Sequence, residues 1–471
     1  MSQIISIPII PSDQTFINVH SNKIVSWSNS SNYSLDYKSL AIFSSLGFML
    51  DDETHFKELK VCKPGWDYEL DDKQNIIQKY KRWNWYYEPK YNQFNDVLND
   101  FSMIINEFVS KQTYNKSVLL PISSGLDSRS LFVPISNKNA ITLASYEFEG
   151  GFNESFAGEM ISKLYNIPFY KNKIQSGYLW NKIEELYRLN NCFTDFTHPR
   201  QVDVIQFWKS LGEVILLGHW GDVLFDRQAS DKCISHDEQI VKLKHSITKS
   251  SGLELAKDLW EAWSLESTFE SFLEDRLSIL YKQINIDEPS SKMRAFKSLY
   301  WAPRWTSINL SFFKSMGEIV LPYYSEEICN FICDVPEDFL AGRKIQIEYI
   351  KKYCPNIALI PWQQYYPCNL NNYSKFNNTY YLFLRSINKA KQIVAEYVSK
   401  TKPIVERNWE IQFLGENNFD QLYNMLEDIQ IIPKTITKKY LDNFLLNPIK
   451  YAHSVSVLLT LSFFSKKYYN K

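Results

Sequence analysis

The sequence has little net charge, no regular cysteine pattern and no long hydrophobic run. Its 52 basic and 53 acidic side chains give a formal net charge of −1, so no global field attracts it to nucleic acid or to an anionic membrane. The apolar run at residues 455–464 is too short to span a bilayer. Residues 1–8 lack the basic region of a signal peptide. We therefore expect a cytoplasmic protein whose partners include neither nucleic acid nor a membrane.

The cysteines do not form a recognisable framework. They are Cys62, Cys192, Cys233, Cys329, Cys333, Cys354 and Cys368. An odd number at irregular spacing does not indicate a set of disulfides. Cys329 and Cys333 lie one helical turn apart and could hold a metal, but their surroundings are apolar. We predict that both are buried structural thiols.

The chain contains no internal repeat and no low-complexity linker, yet its character changes along its length. Up to about residue 90 it has the pattern of short strands and turns, as at residues 4–10 and 66–70. Apolar residues then recur at helical spacing over residues 94–108. We predict a small β-rich N-terminal domain at 1–92, a central domain at 93–365, and a helical C-terminal extension at 366–471.

The central domain alternates strand and helix patterns. Strands are predicted at residues 117–122, 140–146, 168–170 and 213–217, and helices at residues 154–164 and 202–210. Beyond about residue 240 the pattern is mostly helical. This alternation predicts an α/β fold with a parallel sheet and helices on both faces. Ligands in such sheets bind beyond the carboxyl ends of the strands.

One loop with the sequence SSGLDS, at residues 123–128, follows a predicted strand and opens a helix. Small residues let backbone N–H groups approach an anion, and a helix N-terminus favours negative charge. Ser123 and Ser128 can donate hydrogen bonds to phosphate oxygens. Asp127 would repel phosphate unless a cation lies between them, so we predict a Mg²⁺ ion there. The alternative is an ordinary helix start with an acidic first turn.

A second loop, GHWGD at residues 218–222, also follows a predicted strand. It delivers another carboxylate, Asp222, to the same edge of the sheet. Two carboxylates at the ends of parallel strands can share one magnesium ion. The alternative is that Asp222 only caps a helix.

The two loops together resemble those of a known family. The first resembles the Ser-Gly-Gly-x-Asp-Ser pyrophosphatase loop of the asparagine synthetase family, which includes β-lactam synthetases and lasso-peptide cyclases. The second resembles that family's Gly-x-Gly-x-Asp loop. The resemblance runs from about residue 40 to about residue 360, and its weaker segments are Leu46-Gly47-Phe48, Thr54-His55-Phe56, Pro64-Gly65, Asn153-Glu154-Ser155 with Ala157, Leu321-Pro322-Tyr323-Tyr324 and Gly342-Arg343-Lys344-Ile345.

The resemblance implies an adenine-nucleotide α-hydrolase-like fold and a ligase that uses ATP and Mg²⁺. A substrate carboxylate would attack the α-phosphate to give an acyl-adenylate, and an amine would then displace AMP to form an amide. Mg²⁺ would be held by Asp127 and Asp222. Lys344 would neutralise charge on the pyrophosphate or the tetrahedral state. The ATP and pyrophosphate would be bound by Ser123, Ser124, Gly125, Asp127, Ser128 and Gly218.

Several residues depart from the family pattern. Ser124 replaces the first glycine and would be strained if the position needs a positive φ angle. Ser325 replaces an aspartate, and Val223 stands where asparagine synthetases carry glutamate. His219 stands where asparagine synthetases have glutamate, and an imidazole is suited to take a proton from an amine near neutral pH. The alternative for His219 is a loop histidine that only hydrogen-bonds the backbone.

The N-terminal region departs further from the family. Members that hydrolyse glutamine carry cysteine directly after the initiator methionine, whereas this chain has Ser2. We therefore predict a remnant domain without glutaminase activity. The nitrogen would come from free ammonia, from another subunit or from an amine on the substrate.

Three hypotheses for function follow. The first is an AMP-forming carboxylate–amine ligase that acts on a small-molecule or glycan carboxylate. The second is a peptide cyclase that makes an intramolecular amide. The third is a degenerate homologue that binds nucleotide as a scaffold; Ser124 and Ser325 favour it, whereas Asp127, Asp222 and Lys344 together argue against it.

Overall fold

The computed structural model describes residues 3–27, 33–135, 137–151, 153–229, 235–382, 408–427 and 429–469. Ser2, Cys233 and residues 29–32, whose composition is typical of a turn, lie outside these ranges. Cys329 and Cys333 are both buried, as predicted.

A five-stranded parallel sheet forms the centre of the fold, with the order β11-β10-β7-β8-β9. The predicted α/β class is confirmed. Strands β7 and β10 are almost entirely buried, as expected when helices cover both faces of a parallel sheet. The strands are β1 Gln3–Ser6, β2 Phe16–Asn18, β3 Lys23–Val25, β4 Leu59–Val61, β5 Trp66–Leu70, β6 Ile76–Lys81, β7 Val118–Pro121, β8 Ile141–Phe148, β9 Phe169–Ile174, β10 Val214–Leu216 and β11 Glu318–Val320.

Helices follow most strands of the parallel sheet and make up most of the chain after β10. Short 3₁₀ turns and one π-helical turn, Ala302–Thr306, join some of them. The helices are α1 Tyr37–Leu46, α2 Phe94–Thr113, α3 Leu126–Phe132, α4 Phe156–Tyr165, α5 Tyr178–Asn190, α6 Ile205–Trp208, α7 Gly221–Leu224, α8 His236–Ile247, α9 Ser250–Ala262, α10 Phe269–Lys282, α11 Pro289–Tyr300, α12 Ser307–Asn309, α13 Ser311–Met316, α14 Glu326–Cys333, α15 Glu337–Leu340, α16 Lys344–Tyr353, α17 Pro355–Ala358, α18 Asn408–Phe413, α19 Glu416–Leu426, α20 Lys434–Leu446 and α21 Pro448–Tyr469.

The N-terminal region holds two small antiparallel sheets, β1-β5-β6 and β3-β2-β4. It also holds α1, which the sequence did not predict. Ser39 to Leu46 of this helix are all buried, so the helix shows no polar face that would reveal a helical period. Ser44 and Ser45 are accommodated because their hydroxyls donate to the backbone carbonyls of Leu40 and Ile42.

Helix α1 packs against α9 and α21, so the N-terminal region and the C-terminal helices share a core. Helix α21 is buried around its whole circumference between residues 454 and 464. Among the helices of the described residues, none has the length and apolarity needed to cross a bilayer. The division into three domains stays a prediction.

His55 lies in this shared core and makes the fold sensitive to acid. Its ring is fully buried, stacks on Phe464 with 4.3 Å between centroids, and donates from Nε2 to the Cys192 carbonyl at 3.1 Å. Burial lowers the pKa of His55 to about 3, from an ordinary value of 6.5.

The unfolded chain therefore binds a proton below pH 6.5 that the folded chain does not bind at His55, and stability falls as the pH drops. Between pH 7 and pH 5 this one group costs about 2 kcal/mol of unfolding free energy. Between pH 7 and pH 5, we expect the unfolding free energy of His55→Gln to fall by about 2 kcal/mol less than that of the wild type. Urea denaturation at both pH values would measure the difference. An equal loss in the variant and the wild type would contradict the assignment.

Candidate active site

Two loops meet at the carboxyl edge of the parallel sheet. The β7 loop (residues 122–128) includes the start of α3, and the β10 loop (residues 217–222) includes the start of α7. They are neighbours because β7 and β10 pair in parallel, with Val214 opposite Val118. The structure therefore places the two loops side by side, as expected from the sequence.

Two glycines of the β10 loop allow it to lie directly against Asp127. A Cβ atom on Gly218 would come within 2.9 Å of the Asp127 backbone carbon. A Cβ on Gly221 would collide with the Asp127 carboxylate and lie 2.9 Å from Cε2 of Tyr323. Between them, Trp220 adopts a left-handed conformation with φ of +79° and donates from Nε1 to Ser298. The position of Asp127 is thus fixed by backbone on one side.

The Asp127 carboxylate is held by partners from α16 and its N-cap. The guanidinium of Arg343 donates to Oδ1, and Gln346 Nε2 donates to the same oxygen at 3.0 Å. Burial raises the pKa of Asp127 to about 6; Arg343 opposes this rise and the negative charge of Asp222 adds to it. The two carboxylates therefore lie close enough to repel each other.

The side chain of Asp222 is exposed within the cleft. Helix α11 places Lys297 nearby, and Lys297 Nζ donates to Gln228 at 2.8 Å. Burial lowers the pKa of Lys297, and the negative charge of Asp222 opposes part of that lowering. The Asp222 carboxylate thus has a positively charged neighbour, Lys297, on the side that faces α11.

The β7 loop contains internal hydrogen bonds among its small residues. The Ser123 N–H donates to Ser128 Oγ at 3.1 Å, and the Gly125 N–H donates to Ser123 Oγ at 3.3 Å. The Ser124 backbone does not have a positive φ angle, so serine is not strained there. Its buried hydroxyl donates to Gln363, and its carbonyl accepts from Arg129 at 3.0 Å. Ser124 therefore belongs to the support of the loop and not to its open face.

Ser325 also has a structural role. It is the N-cap of α14, and its hydroxyl accepts from the Ile328 N–H at 3.2 Å. Two residues earlier, the hydroxyl of Tyr323 lies 2.6 Å from Ser130 Oγ and accepts from Gln346. The segment after β11 therefore supports α3 beneath Asp127.

His219 lines the cleft, but the described residues give it no acidic partner. Its ring packs edge-on against Phe313, with 5.9 Å between centroids. Nδ1 is buried and has no hydrogen-bond partner among the described residues. Burial lowers the pKa of His219 to about 4, so the ring is neutral at pH 7 and is a weak base.

The structure does not bring Lys344 to the cleft, contrary to the role expected for it. Lys344 is exposed, and its Nζ lies 4.1 Å from the centroid of the Phe94 ring. Arg343 faces Asp127 instead. The reason is a turn in which Gly342 and Arg343 both have left-handed backbones, with φ of +69° and +61°. Asp226 fixes this turn by accepting the Gly342 N–H at 2.9 Å.

The cleft between the loops has a volume of about 720 Å³, a size typical of small-molecule sites. The two loops, Arg343 and Lys297 supply most of its polar lining. Its apolar lining includes an aromatic wall, defined as Trp301, Trp305 and Phe313. Tyr146 and Glu154 also reach the cleft.

The donor groups in the cleft fit a magnesium ion shared with phosphate. Mg²⁺ prefers one or two carboxylates together with phosphate and water oxygens. Asp127 and Asp222 supply two carboxylates, and a cation between them would offset the burial and the repulsion by Asp222 that together raise the pKa of Asp127. In the described part of the chain, no group of three or more His, Cys, Asp or Glu side chains is arranged to hold a metal. The remaining ligands would thus have to come from phosphate and water.

Sequence reasoning missed several residues of the cleft. Arg343 directly precedes Lys344, but no role was predicted for it. The sequence does not show which of the two side chains the turn at Gly342 directs toward Asp127. Lys297 and the aromatic wall lie in a helical region without a motif. The only available signal was the density of aromatic residues around Trp301 and Trp305.

Comparisons with known proteins give limited information. No protein-family model matches the chain, and no curated protein matches it. Among solved structures, it is similar to a glutamine-dependent NAD+ synthetase from Acinetobacter baumannii in complex with adenosine diphosphate, at 12% sequence identity and a TM-score of 0.21. The match covers 39% of this chain and 40% of that chain. The chain therefore spans less than half of that structure, and a similarity of this size does not extend to function.

Proposed function

We propose that the protein is an ATP-dependent, AMP-forming carboxylate–amine ligase. The observation that carries the proposal is the convergence of Asp127 and Asp222 in one cleft at the carboxyl edge of a parallel sheet. Two adjacent carboxylates in a cleft of about 720 Å³, with Arg343 and Lys297 beside them, suit Mg²⁺ and a polyphosphate better than they suit a neutral ligand. The proposal also agrees with the loop resemblance found in the sequence.

In the proposed reaction, a substrate carboxylate oxygen bonds to the α-phosphorus of ATP and pyrophosphate leaves with the bond electrons. Hydroxyls of Ser123 and Ser128 donate to phosphate oxygens, and the Arg343 guanidinium turns from Asp127 toward the pyrophosphate. Asp127 and Asp222 would hold Mg²⁺, which supplies charge neutralisation when bound. An amine then adds to the acyl carbon and AMP leaves, which forms the amide.

The acid is proposed to be a small-molecule or glycan carboxylate held against the aromatic wall, because aromatic side chains supply a large apolar contact area. The amine is proposed to come from free ammonia, from another subunit or from the substrate itself, without glutamine hydrolysis. Ser124 and Ser325, which favoured a degenerate scaffold, are both structurally accommodated. This weakens that alternative.

Exchange of radiolabelled pyrophosphate into ATP tests the proposal. The purified protein would be assayed with Mg²⁺ and a panel of amino acids and uronic acids. We expect exchange that depends on one class of acid. A protein that binds ATP but supports no exchange with any acid, or that releases ADP and phosphate, would contradict the proposal.

Arg343 and Lys344 provide a matched pair of variants. Because Arg343 lies on Asp127 and Lys344 lies on Phe94, we expect Arg343→Gln to lower exchange about 100-fold. Lys344→Gln should change exchange by no more than about threefold. The reverse order of effects would restore the catalytic role first expected for Lys344.

A further inference from the structure

Two positively charged side chains, Arg343 and Lys297, line the cleft in the described part of the chain. Arg343 is already engaged, because its guanidinium donates to the Asp127 carboxylate. Lys297 is half-buried, and no carboxylate of the described residues lies within ion-pair distance of its Nζ. A partly buried cation without an anion in contact carries a desolvation cost. A bound anion would remove that cost.

Helix α11 presents Arg294 and Lys297 on one face, because the two residues are three positions apart. Arg294 is buried and fully paired. Its guanidinium donates to Glu337 at 2.9 Å and to the carbonyls of Val223 at 3.3 Å and Asp226 at 3.0 Å. Arg294 therefore anchors the segment after the β10 loop to α11. Lys297 lies one turn further along the same face and holds its charge toward the cleft.

Gln228 fixes the position of the Lys297 ammonium group. The Nε2 atom of Gln228 donates to the carbonyls of Val223 at 3.0 Å and Asp226 at 3.2 Å. Its Oε1 atom accepts from Lys297 Nζ at 2.8 Å. An ammonium group has three N–H donors, and Gln228 is the one acceptor that the described residues give to Nζ. Two donors therefore remain for a ligand.

The Lys297 ammonium group lies where the two carboxylates of the cleft approach the aromatic wall. Asp222 is close enough for its negative charge to act on the pKa of Lys297. Lys297 Nζ also lies 5.8 Å from the centroid of the Trp301 ring. Asp222, Gln228 and Trp301 all line the cleft, as Lys297 itself does. The groups around Nζ are therefore themselves part of the cleft lining.

An anionic substrate needs a cation at this place. An acid held against the aromatic wall must bring its carboxylate to a phosphate near Asp127 and Asp222, and both of these side chains repel it when they are ionised. Lys297 supplies a fixed positive charge between the wall and Asp222. A hydrogen bond from an ammonium group to a carboxylate is about twice as strong as one between neutral groups.

We propose that Lys297 binds the carboxylate of the substrate acid and orients it for attack on the α-phosphorus, which rests on the proposed ligase function. One carboxylate oxygen bonds to the phosphorus as pyrophosphate leaves, and the other accepts hydrogen bonds from Lys297 Nζ. That second oxygen becomes the carbonyl oxygen of the acyl-adenylate. Lys297 is thus the group that makes the cleft select an acid over its neutral amide.

Lys297 keeps the same contact during amide formation. The amine adds to the acyl carbon, and the π electrons of the carbonyl move to the oxygen that Lys297 holds. These electrons then re-form the double bond as the C–O bond to AMP breaks and its electrons leave with the AMP oxygen. The nitrogen releases its proton to solvent, and Lys297 stays protonated throughout. A fixed cation at a developing oxyanion is an established means of stabilising such a state.

Kinetics of pyrophosphate exchange separate the binding of the acid from the binding of ATP. The acid that gives the largest exchange with the wild type is varied at high Mg-ATP, and Mg-ATP is then varied at high acid. We expect Lys297→Met to raise the KM for the acid about 10- to 100-fold. The KM for ATP should change by no more than about threefold. Lys297→Gln, which can still donate to Gln228, should show the same pattern.

The carboxamide of the same acid gives a second readout, because it has nearly the same shape but no charge. As a competitor of exchange, it should bind the wild type at least about tenfold more weakly than the acid does. Lys297→Met should lose this preference, which a purely structural role would not alter.

Lys292→Met is the matched control. Lys292 also belongs to α11, but its Nζ lies 4.9 Å from the centroid of the Tyr281 ring and the residue is not part of the cleft lining. We expect wild-type KM values and the wild-type preference for acid over carboxamide in this variant. Thermal unfolding would be measured on all variants.

Each other outcome overturns the inference or the function beneath it. A rise in the KM for ATP without a rise in the KM for the acid would assign Lys297 to phosphate instead. Unchanged kinetics in both Lys297 variants, or an equal effect in Lys292→Met, would also overturn the inference. Loss of all activity together with a lower unfolding temperature in both Lys297 variants would assign Lys297 to the fold. Wild-type protein without exchange contradicts the proposed ligase function, and the role of Lys297 falls with it.

Discussion

Asp127→Asn and Asp222→Asn should each lower pyrophosphate exchange by at least about 100-fold while the protein remains folded. Both side chains face the same cleft, and asparagine keeps the shape of the side chain but removes the charge that a magnesium ion requires. Asp127 already carries an electrostatic cost, because burial and Asp222 raise its pKa. Loss of that charge should therefore not unfold the chain.

Asp338→Asn is the matched control, because its carboxylate is 83% exposed and pairs only with Arg227 in the described structure. Exchange and thermal unfolding would be measured on all three variants at several magnesium concentrations. Full exchange by Asp127→Asn or Asp222→Asn would rule out a shared metal site. Loss of exchange together with a fall in unfolding temperature would assign the residue to the fold.

Gly221→Ala should lower pyrophosphate exchange about as much as the two aspartate substitutions do, but through a steric effect. Its new Cβ would occupy the place of the Asp127 carboxylate and press on Tyr323. The carboxylate would have to leave its partners Arg343 and Gln346, and misplacement of a reacting group by about 1 Å can cost about 100-fold in rate. The added atom should also lower the unfolding free energy by about 1–3 kcal/mol.

Gly317→Ala is the control for this variant. A Cβ there would meet its nearest neighbour, the Glu213 carbonyl oxygen, only at 3.6 Å, an ordinary contact distance. Exchange assays and urea denaturation would compare the two alanine variants. Equal activity of Gly221→Ala and wild type would show that the close approach of the two loops has no functional role.

Much of the sheet was predictable from the sequence because its buried strands are short apolar runs followed by small residues. The strands at β7, β8 and β10 and the helices α2 and α4 were confirmed close to their expected bounds. Strand β11 was not predicted because a strand of three residues is too short to show an alternation of apolar and polar side chains. Helix α1 was missed because a helix buried on all sides has no periodic pattern.

The site was less predictable than the fold. The β7 and β10 loops could be found because local motifs define them, but their roles stay predictions. The position of Arg343 depends on its own left-handed backbone, a conformation that arginine rarely adopts and that the sequence therefore does not indicate. Gln346, which donates to the Asp127 carboxylate, lies 219 residues further along the chain. Such contacts between distant segments leave no trace in a local sequence pattern.

The contact of Gly218 and Gly221 with Asp127 has a consequence for protein engineering. The side of the cleft that we propose binds nucleotide is fixed by backbone contacts, so randomising either loop is expected to yield mostly inactive clones. The aromatic wall comes from separate places: Trp301 follows α11, Trp305 lies in the π-helical turn and Phe313 lies in α13. Mutant libraries aimed at new acids or amines should therefore vary these three rings and leave both loops intact.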